Sequence, residues 1–259
     1  MQIQEIKKFS DEINSKFYFD FDLKKSNWFN IGGKTKVYFK VESLADLVLF
    51  LKRFGIKERI YVLGAGSNIL ISDGIFDGIV IKLGKSFSNI SLLPNNIIIA
   101  GSSCTDKKLS DFALENEIGG LEFLACIPGT IGGGLKMNAG CFNKEFKDIL
   151  VSIQAIDREG RVITIPANKI LFEYRKNDLA EDLIFLSASF KGEKKKQSDI
   201  KKKVEELKTK KESSQPTKIK TSGSTFKNPI KQTKKKVWEL IKESVPLNTS
   251  FGDACISSK

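Results

Sequence analysis

The chain has 259 residues, 41% of them hydrophobic, which suits one large or two ordinary domains with a buried core. It contains no histidine, which excludes Ser–His and Cys–His catalysis and histidine-ligated zinc and leaves Ser, Tyr, Lys, Cys and the carboxylates to carry protons. The formal net charge of +12 gathers in lysine runs after residue 193, without the interleaved aromatics of a single-strand nucleic-acid binder, and reads as a solvated helix face. Thr35 to Val41 alternates apolar and polar residues and predicts a strand. Ser43 caps a following helix, with Asp46 three residues on, Leu47, Val48, Phe50 and Leu51 as its apolar face and Gly55 as its stop. A short strand from Ile60 to Leu63 completes a β-α-β unit and runs into Gly64-Ala65-Gly66-Ser67-Asn68.

Ile79 to Leu83 and Ile97 to Ala100 are further strands, with turn residues at Pro94-Asn95-Asn96 between them. Thr105 caps a helix bearing Leu109, Phe112, Ala113 and Leu114, which Gly119-Gly120 is expected to end. A glycine-dense loop spans Pro128 to Gly140. Ile149 to Ile156 and Arg161 to Ile165 form a strand pair around the turn Asp157-Arg158-Glu159-Gly160, and Leu183 to Phe190 is another strand. A lysine-rich helix from about Ser198 to Lys211 and a short apolar helix around Val237 to Ile241 follow, with a domain boundary near residue 193. No apolar run reaches membrane-spanning length, and the polar start Met1-Gln2-Ile3-Gln4-Glu5 predicts no signal peptide. Cys104, Cys126, Cys141 and Cys255 form no C-x-x-C pair and read as reduced thiols of a cytoplasmic protein.

Two glycine segments carry the chemistry. Gly64-Ala65-Gly66-Ser67-Asn68 follows a strand as a dinucleotide fingerprint does, but Ile69 replaces the third glycine and the turn Ser72-Asp73-Gly74 leaves no room for a helix. What remains is a concave run of backbone N–H groups with Ser67 and Asn68 as added donors, suited to a pyrophosphate or to a plain tight turn. Ile127-Pro128-Gly129-Thr130-Ile131-Gly132-Gly133-Gly134 forfeits about 0.5–1 kcal/mol per glycine against alanine in regular structure. Backbone lying flat on a large planar cofactor needs that bareness; Met137-Asn138-Ala139-Gly140 continues it.

Together with Ile31-Gly32-Gly33, Gly120-Leu121-Glu122-Phe123, Tyr174-Arg175, Gln215-Pro216 and Gly223-Ser224-Thr225-Phe226-Lys227-Asn228-Pro229, these segments resemble the FAD-dependent UDP-N-acetylenolpyruvoylglucosamine reductases, of the shorter type. The resemblance runs from about Asn27 to the last residue. It implies an α+β fold: two FAD-binding subdomains of the vanillyl-alcohol-oxidase-like (PCMH) type, residues 1–85 and 86–192, and an α+β substrate domain, residues 193–259. It implies FAD as cofactor and NADPH as co-substrate. The reaction it implies is a flavin-mediated reduction of UDP-N-acetylglucosamine enolpyruvate to UDP-N-acetylmuramate in peptidoglycan precursor synthesis.

By the same resemblance, Gly64, Ala65, Gly66, Ser67, Asn68, Pro128, Gly129, Thr130, Ile131, Gly132, Gly133, Asn138 and Gly140 hold the cofactor. Arg175 opposes the negative charge that develops at the substrate carboxylate, Ser224 delivers the proton to C2, and Tyr174, Lys227 and Asn228 contact the substrate. No metal, membrane or nucleic-acid partner is implied, and a monomer is expected. The family's His-Ala-Asn-Phe-like stretch and its catalytic glutamate have no counterpart here. The expectation is therefore a C-terminally truncated chain with an incomplete substrate domain and reduced turnover. Two competing readings are an FAD-dependent oxidase of a sugar or hydroxy acid on the same scaffold and a basic nucleic-acid-binding protein.

Overall fold

The computed structural model describes residues 2–214, 226–246, 248–252 and 254–255. Gln215, Pro216, Gly223, Ser224 and Thr225 lie outside them. Near the start, helix α1 (Ile3–Ser10) and strand β1 (Lys16–Asp22) precede the first expected strand. Neither was anticipated, although K-F-Y-F-D-F-D alternates strictly and turns Phe17, Phe19 and Phe21 to the half-buried face. Strand β1 pairs antiparallel with β2 (Lys34–Val41), where Phe17 stacks on Phe39 with ring centroids 4.1 Å apart.

Helix α2 (Leu44–Phe54) begins as predicted: the Asp46 N–H donates to Ser43 Oγ at 3.1 Å. Leu47, Phe50, Leu51 and Phe54 bury its apolar face. The buried Asp46 carboxylate then ties in the entry to β1, accepting from the Ser15 N–H at 3.0 Å and the Ser15 hydroxyl at 2.6 Å. Strand β3 (Ile60–Val62) is not hydrogen-bonded to β2; β4 (Ile75–Leu83) lies between them, parallel to both, in the order β1-β2-β4-β3. The β-α-β unit is therefore real but split. Ile79, Val80 and Ile81 are all buried, as a strand covered on both faces requires, whereas β3 is short and mostly exposed and takes the edge.

The second half runs through β5 (Ile90–Leu93), β6 (Ile97–Gly101), helix α3 (Asp106–Glu115), β7 (Ile118–Gly119), helix α4 (Ile131–Lys136) and the short pair β8 (Gly140–Cys141) and β9 (Lys144–Glu145). It continues with β10 (Leu150–Ile156), β11 (Val162–Pro166), the pair β12 (Phe172–Glu173) and β13 (Lys176–Asn177), β14 (Ile184–Lys191), β15 (Glu193–Lys194) and helix α5 (Gln197–Ser214). The main sheet is antiparallel in the order β11-β10-β14-β6-β5. Asp157 makes the β10–β11 turn, its Oδ1 accepting from the Glu159 and Arg161 N–H groups at 2.9 Å each, with Gly160 at φ +81.

Two expectations fail locally. Helix α3 does not run to Gly119-Gly120; it ends at Glu115, and Glu117 takes the left-handed conformation at φ +58. Gly119 instead belongs to β7, which pairs with Glu193 and Lys194 of β15. The glycine segment is not loop throughout either, because Ile131 to Lys136 coils into α4, with Thr130 at its N-cap.

One core packs α2 and α1 on the first sheet and also takes Ile156, Ile184 and Leu186 from the second. The other fills the second sheet, α3 and α4 and includes Leu207 of α5. That helix buries Ile200, Val204 and Leu207, and its ion pairs Lys203–Glu206 and Lys210–Glu206 lie on the exposed side. Helix α6 (Val237–Ser244) follows among the described residues.

Candidate active site

Loops of both sheets and the segment around residues 226–241 line a cleft of ≈ 2070 Å³. That exceeds the usual small-ligand pocket and suits a dinucleotide with a second ligand beside it. Its inner wall is made by the two glycine segments, which the structure joins. Ser67 Oγ donates to the Pro128 carbonyl at 2.6 Å. A Cβ on Gly64 would come 2.9 Å from Thr130 Oγ1. Gly66, at φ +69, packs so tightly on residues 26–27 that a Cβ would lie 2.3 Å from the Ser26 carbonyl oxygen. Gly64, Ala65, Gly66, Ser67, Asn68, Pro128, Gly129, Thr130, Gly132, Gly133 and Gly140 all line the cleft.

Ile131 and Asn138 do not. Ile131 is fully buried in the second core and its N–H donates to the Cys104 carbonyl at 2.9 Å. The Gly132 N–H is likewise spent, on the Ser102 carbonyl at 2.9 Å. Asn138, also fully buried, donates from Nδ2 to Glu145 Oε2 and to the Glu173 carbonyl, both at 3.0 Å, and its Oδ1 accepts from the Lys147 N–H at 3.2 Å. These two residues hold the wall from behind.

The residues fit a flavin dinucleotide. Gly133 is exposed on the cleft, and among the described residues a Cβ there would meet nothing nearer than Thr130 Oγ1 at 3.7 Å, so their packing gives no reason for glycine. Gly134 beside it has one, because a Cβ would fall 2.3 Å from the Phe146 ring. Bare backbone facing an open slot is what a planar ring system requires. Two polar groups at the wall escaped the sequence reading. Asp106 is fully buried with no partner for either carboxyl oxygen among the described residues, and burial pushes its pKa up to about 8. Lys82, a lone cation within the apolar run of β4, donates to the Gly64 carbonyl and has its pKa lowered by burial. The break it makes in Ile79-Val80-Ile81-Lys82-Leu83 was a readable signal.

Tyr174 and Arg175 form the two-residue turn between β12 and β13, with Arg175 in the left-handed region at φ +58. Its guanidinium lies 4.9 Å from the centre of the Tyr174 ring. Nη1 donates to the Asn138 carbonyl at 3.3 Å and Nη2 to the Gly140 carbonyl at 3.0 Å, so the end of the glycine wall carries the arginine. Lys227 Nζ reaches the Arg175 carbonyl at 3.5 Å. Asn228 lines the same cleft, although its Oδ1 is used by the Val237 N–H at 3.0 Å, at the start of α6. Tyr174, Arg175, Lys227 and Asn228 thus converge, and Ser224 lies outside the described residues. Burial pushes the Cys104 and Cys141 thiols up to about 11 and raises Cys126, which keeps all three protonated at neutral pH and unfit as nucleophiles.

Comparison with known proteins agrees with this geometry. The family described as FAD binding domain matches residues 35–166. The chain is 74% identical over all its 259 residues, and over 86% of the relative, to a UDP-N-acetylenolpyruvoylglucosamine reductase of Pelagibacter ubique (strain HTCC1062). A UDP-N-acetylenolpyruvylglucosamine reductase from Thermus caldophilus superimposes with a TM-score of 0.79 at 27% identity, covering 95% of this chain and 85% of that one. A glucooligosaccharide oxidase from Acremonium strictum aligns at a TM-score of 0.52 and 11% identity over 72% of this chain and 42% of its own, which shows the shared α+β scaffold alone. The glycine-walled cleft, the FAD binding match and the likeness along the whole of this chain lead to one assignment: the chain belongs to the UDP-N-acetylenolpyruvoylglucosamine reductase family.

Proposed function

We propose that this protein reduces the enolpyruvyl ether of UDP-N-acetylglucosamine to the lactyl ether of UDP-N-acetylmuramate, with NADPH as electron donor and FAD as carrier, in cytoplasmic peptidoglycan precursor synthesis. The observation that carries the reading is an arginine mounted on the end of a bare glycine wall, facing a cleft of dinucleotide size. Residues of the 64–68 and 128–133 segments would hold FAD, which when bound supplies hydride storage between two substrates.

The chain's own residues supply binding and charge. A hydride arriving at C3 of the enolpyruvyl group throws negative charge onto C2 and its carboxylate. Arg175, a guanidinium able to make two parallel hydrogen bonds, opposes that charge. Lys227, in the same cleft, suits the nucleotide phosphates, and Tyr174 and Asn228 flank the sugar. Ser224 is the proton donor to C2. In this reading residues 1–85 and 86–192 are the two cofactor subdomains and residues 193–259 the substrate domain, with α5 as the strut joining it to the second core. The protein acts as a monomer.

Two measurements test the reading. Purified protein should show a bound-flavin visible spectrum, and reoxidation of the NADPH-reduced flavin without oxygen should accelerate on adding the enolpyruvyl sugar nucleotide. Acceleration by oxygen alone, with none by the sugar nucleotide, would transfer the protein to the oxidases. Arg175→Lys should slow the substrate half-reaction about 100-fold, the scale of one lost charge-stabilising group.

A further inference from the structure

Arg175 is held by more than carbonyls. Glu145, on β9 at the far side of the β8–β9 turn, places Oε1 3.5 Å from Arg175 Nη1. Its Oε2 accepts from Asn138 Nδ2 at 3.0 Å and lies 3.1 Å from Lys147 Nζ. Its backbone N–H donates to Asp148 Oδ2 at 2.9 Å, and its side chain accepts from the Asp148 N–H in return. The carboxylate is four-fifths buried, so its charge is felt more strongly than on an open surface. Asn138 thus reaches Arg175 twice, through its own carbonyl and through the Glu145 carboxylate.

We infer that Glu145 is a positioning residue that locks the Arg175 guanidinium in the orientation that receives the substrate carboxylate. The inference rests on the reading of Arg175 given above. A guanidinium has five N–H groups; two are spent on the Asn138 and Gly140 carbonyls and Glu145 lies against Nη1, leaving Nε and the rest of Nη2 to meet a ligand. Carbonyl bonds alone allow the planar group to pivot, because carbonyl oxygens accept over a broad range of angles. A fixed negative charge at one Nη selects a single pivot angle and lowers the ordering cost of binding a carboxylate. The bland alternative is that Glu145 only caps the turn at Phe146–Asp148.

Glu145→Gln separates the two roles, since an amide oxygen still accepts from the Asp148 and Asn138 N–H groups but carries no charge. The readout is equilibrium binding of two sugar nucleotides to the flavin-loaded protein: UDP-N-acetylmuramate, which has the lactyl carboxylate, and UDP-N-acetylglucosamine, which lacks it. Glu145→Gln should weaken the first about tenfold, as losing a contact to a charged group does, and leave the second within about twofold. Glu145→Asp, which keeps the charge one methylene further back, should fall between wild type and Gln for the carboxylate ligand only; if the Gln variant does not fold, this variant carries the comparison. Equal weakening of both ligands, or of neither, overturns the inference. Arg175→Lys run alongside isolates the underlying reading: unchanged affinity for UDP-N-acetylmuramate in that variant defeats the role of Arg175, whereas a large loss there with a silent Glu145→Gln defeats only the role of Glu145.

Discussion

Asp106 sits at the first position of α3, fully buried, with both carboxyl oxygens unpartnered among the described residues. Its pKa of about 8 lies well above the unfolded carboxyl value, so between these pH values the native state holds a proton that the unfolded chain has lost. Stability therefore falls as pH rises through that window and levels off above it. Asp106→Asn removes the dependence. Relative to that variant, wild type should lose stability steadily as pH rises from the ordinary carboxyl range toward about 8, measured by urea unfolding of the flavin-free protein. Parallel stability–pH curves for the two proteins would show that the carboxyl is ionised in the native state. A buried acid of this kind is not legible in sequence, where Asp106 reads as an ordinary first-turn carboxylate. Arg175 was legible as a residue and its setting was not, because Asn138 and Glu145 lie 37 and 30 positions away and nothing local marks their convergence.

At the scale of elements, α4 sorts its three glycines by task. Gly134→Ala drives a methyl into the Phe146 ring, 2.3 Å away, and should cost about 1–3 kcal/mol of flavin-free stability as an overpacked core does. Gly133→Ala meets open space, so it should raise flavin-free stability by about 0.5–1 kcal/mol, the helix preference for alanine over glycine. It should also weaken FAD binding. Flavin titration and thermal unfolding of the two variants check this opposite pattern; tight FAD binding by Gly133→Ala would remove the ring system from this face. The elements themselves were largely readable. Apolar periodicity and the Ser43 and Thr105 caps placed α2, α3 and most strands, since those signals are local. The helical state of Ile131 to Lys136 was not readable, because glycine is a poor helix former and tertiary bonds from Ile131 and Gly132 to the α3 approach override its preference.

Over the whole molecule, the core of the first sheet is completed by residues of the second. Ile156 and Ile184, at one end of β10 and β14, and Leu186 pack into the core of the first sheet. Ile184→Ala should cost about 2–5 kcal/mol. The cost should fall on both sheets together, giving coincident urea transitions by far-ultraviolet circular dichroism and by aromatic fluorescence. Two separated transitions would mean that the sheets unfold independently. The packing of Ile156, Ile184 and Leu186 was not legible in the sequence, because residues in a strand of one sheet carry no mark of the neighbour they will meet.

The placement of β4 between β2 and β3 has a consequence for biosynthesis. Strands emerging earlier from the ribosome flank a gap that only a later stretch can fill. Until Leu83 has left the exit tunnel, the edges of β2 and β3 stay unsatisfied, and both are parallel-pairing edges that no hairpin can close. The nascent amino-terminal portion thus carries open strand edges until that later stretch arrives.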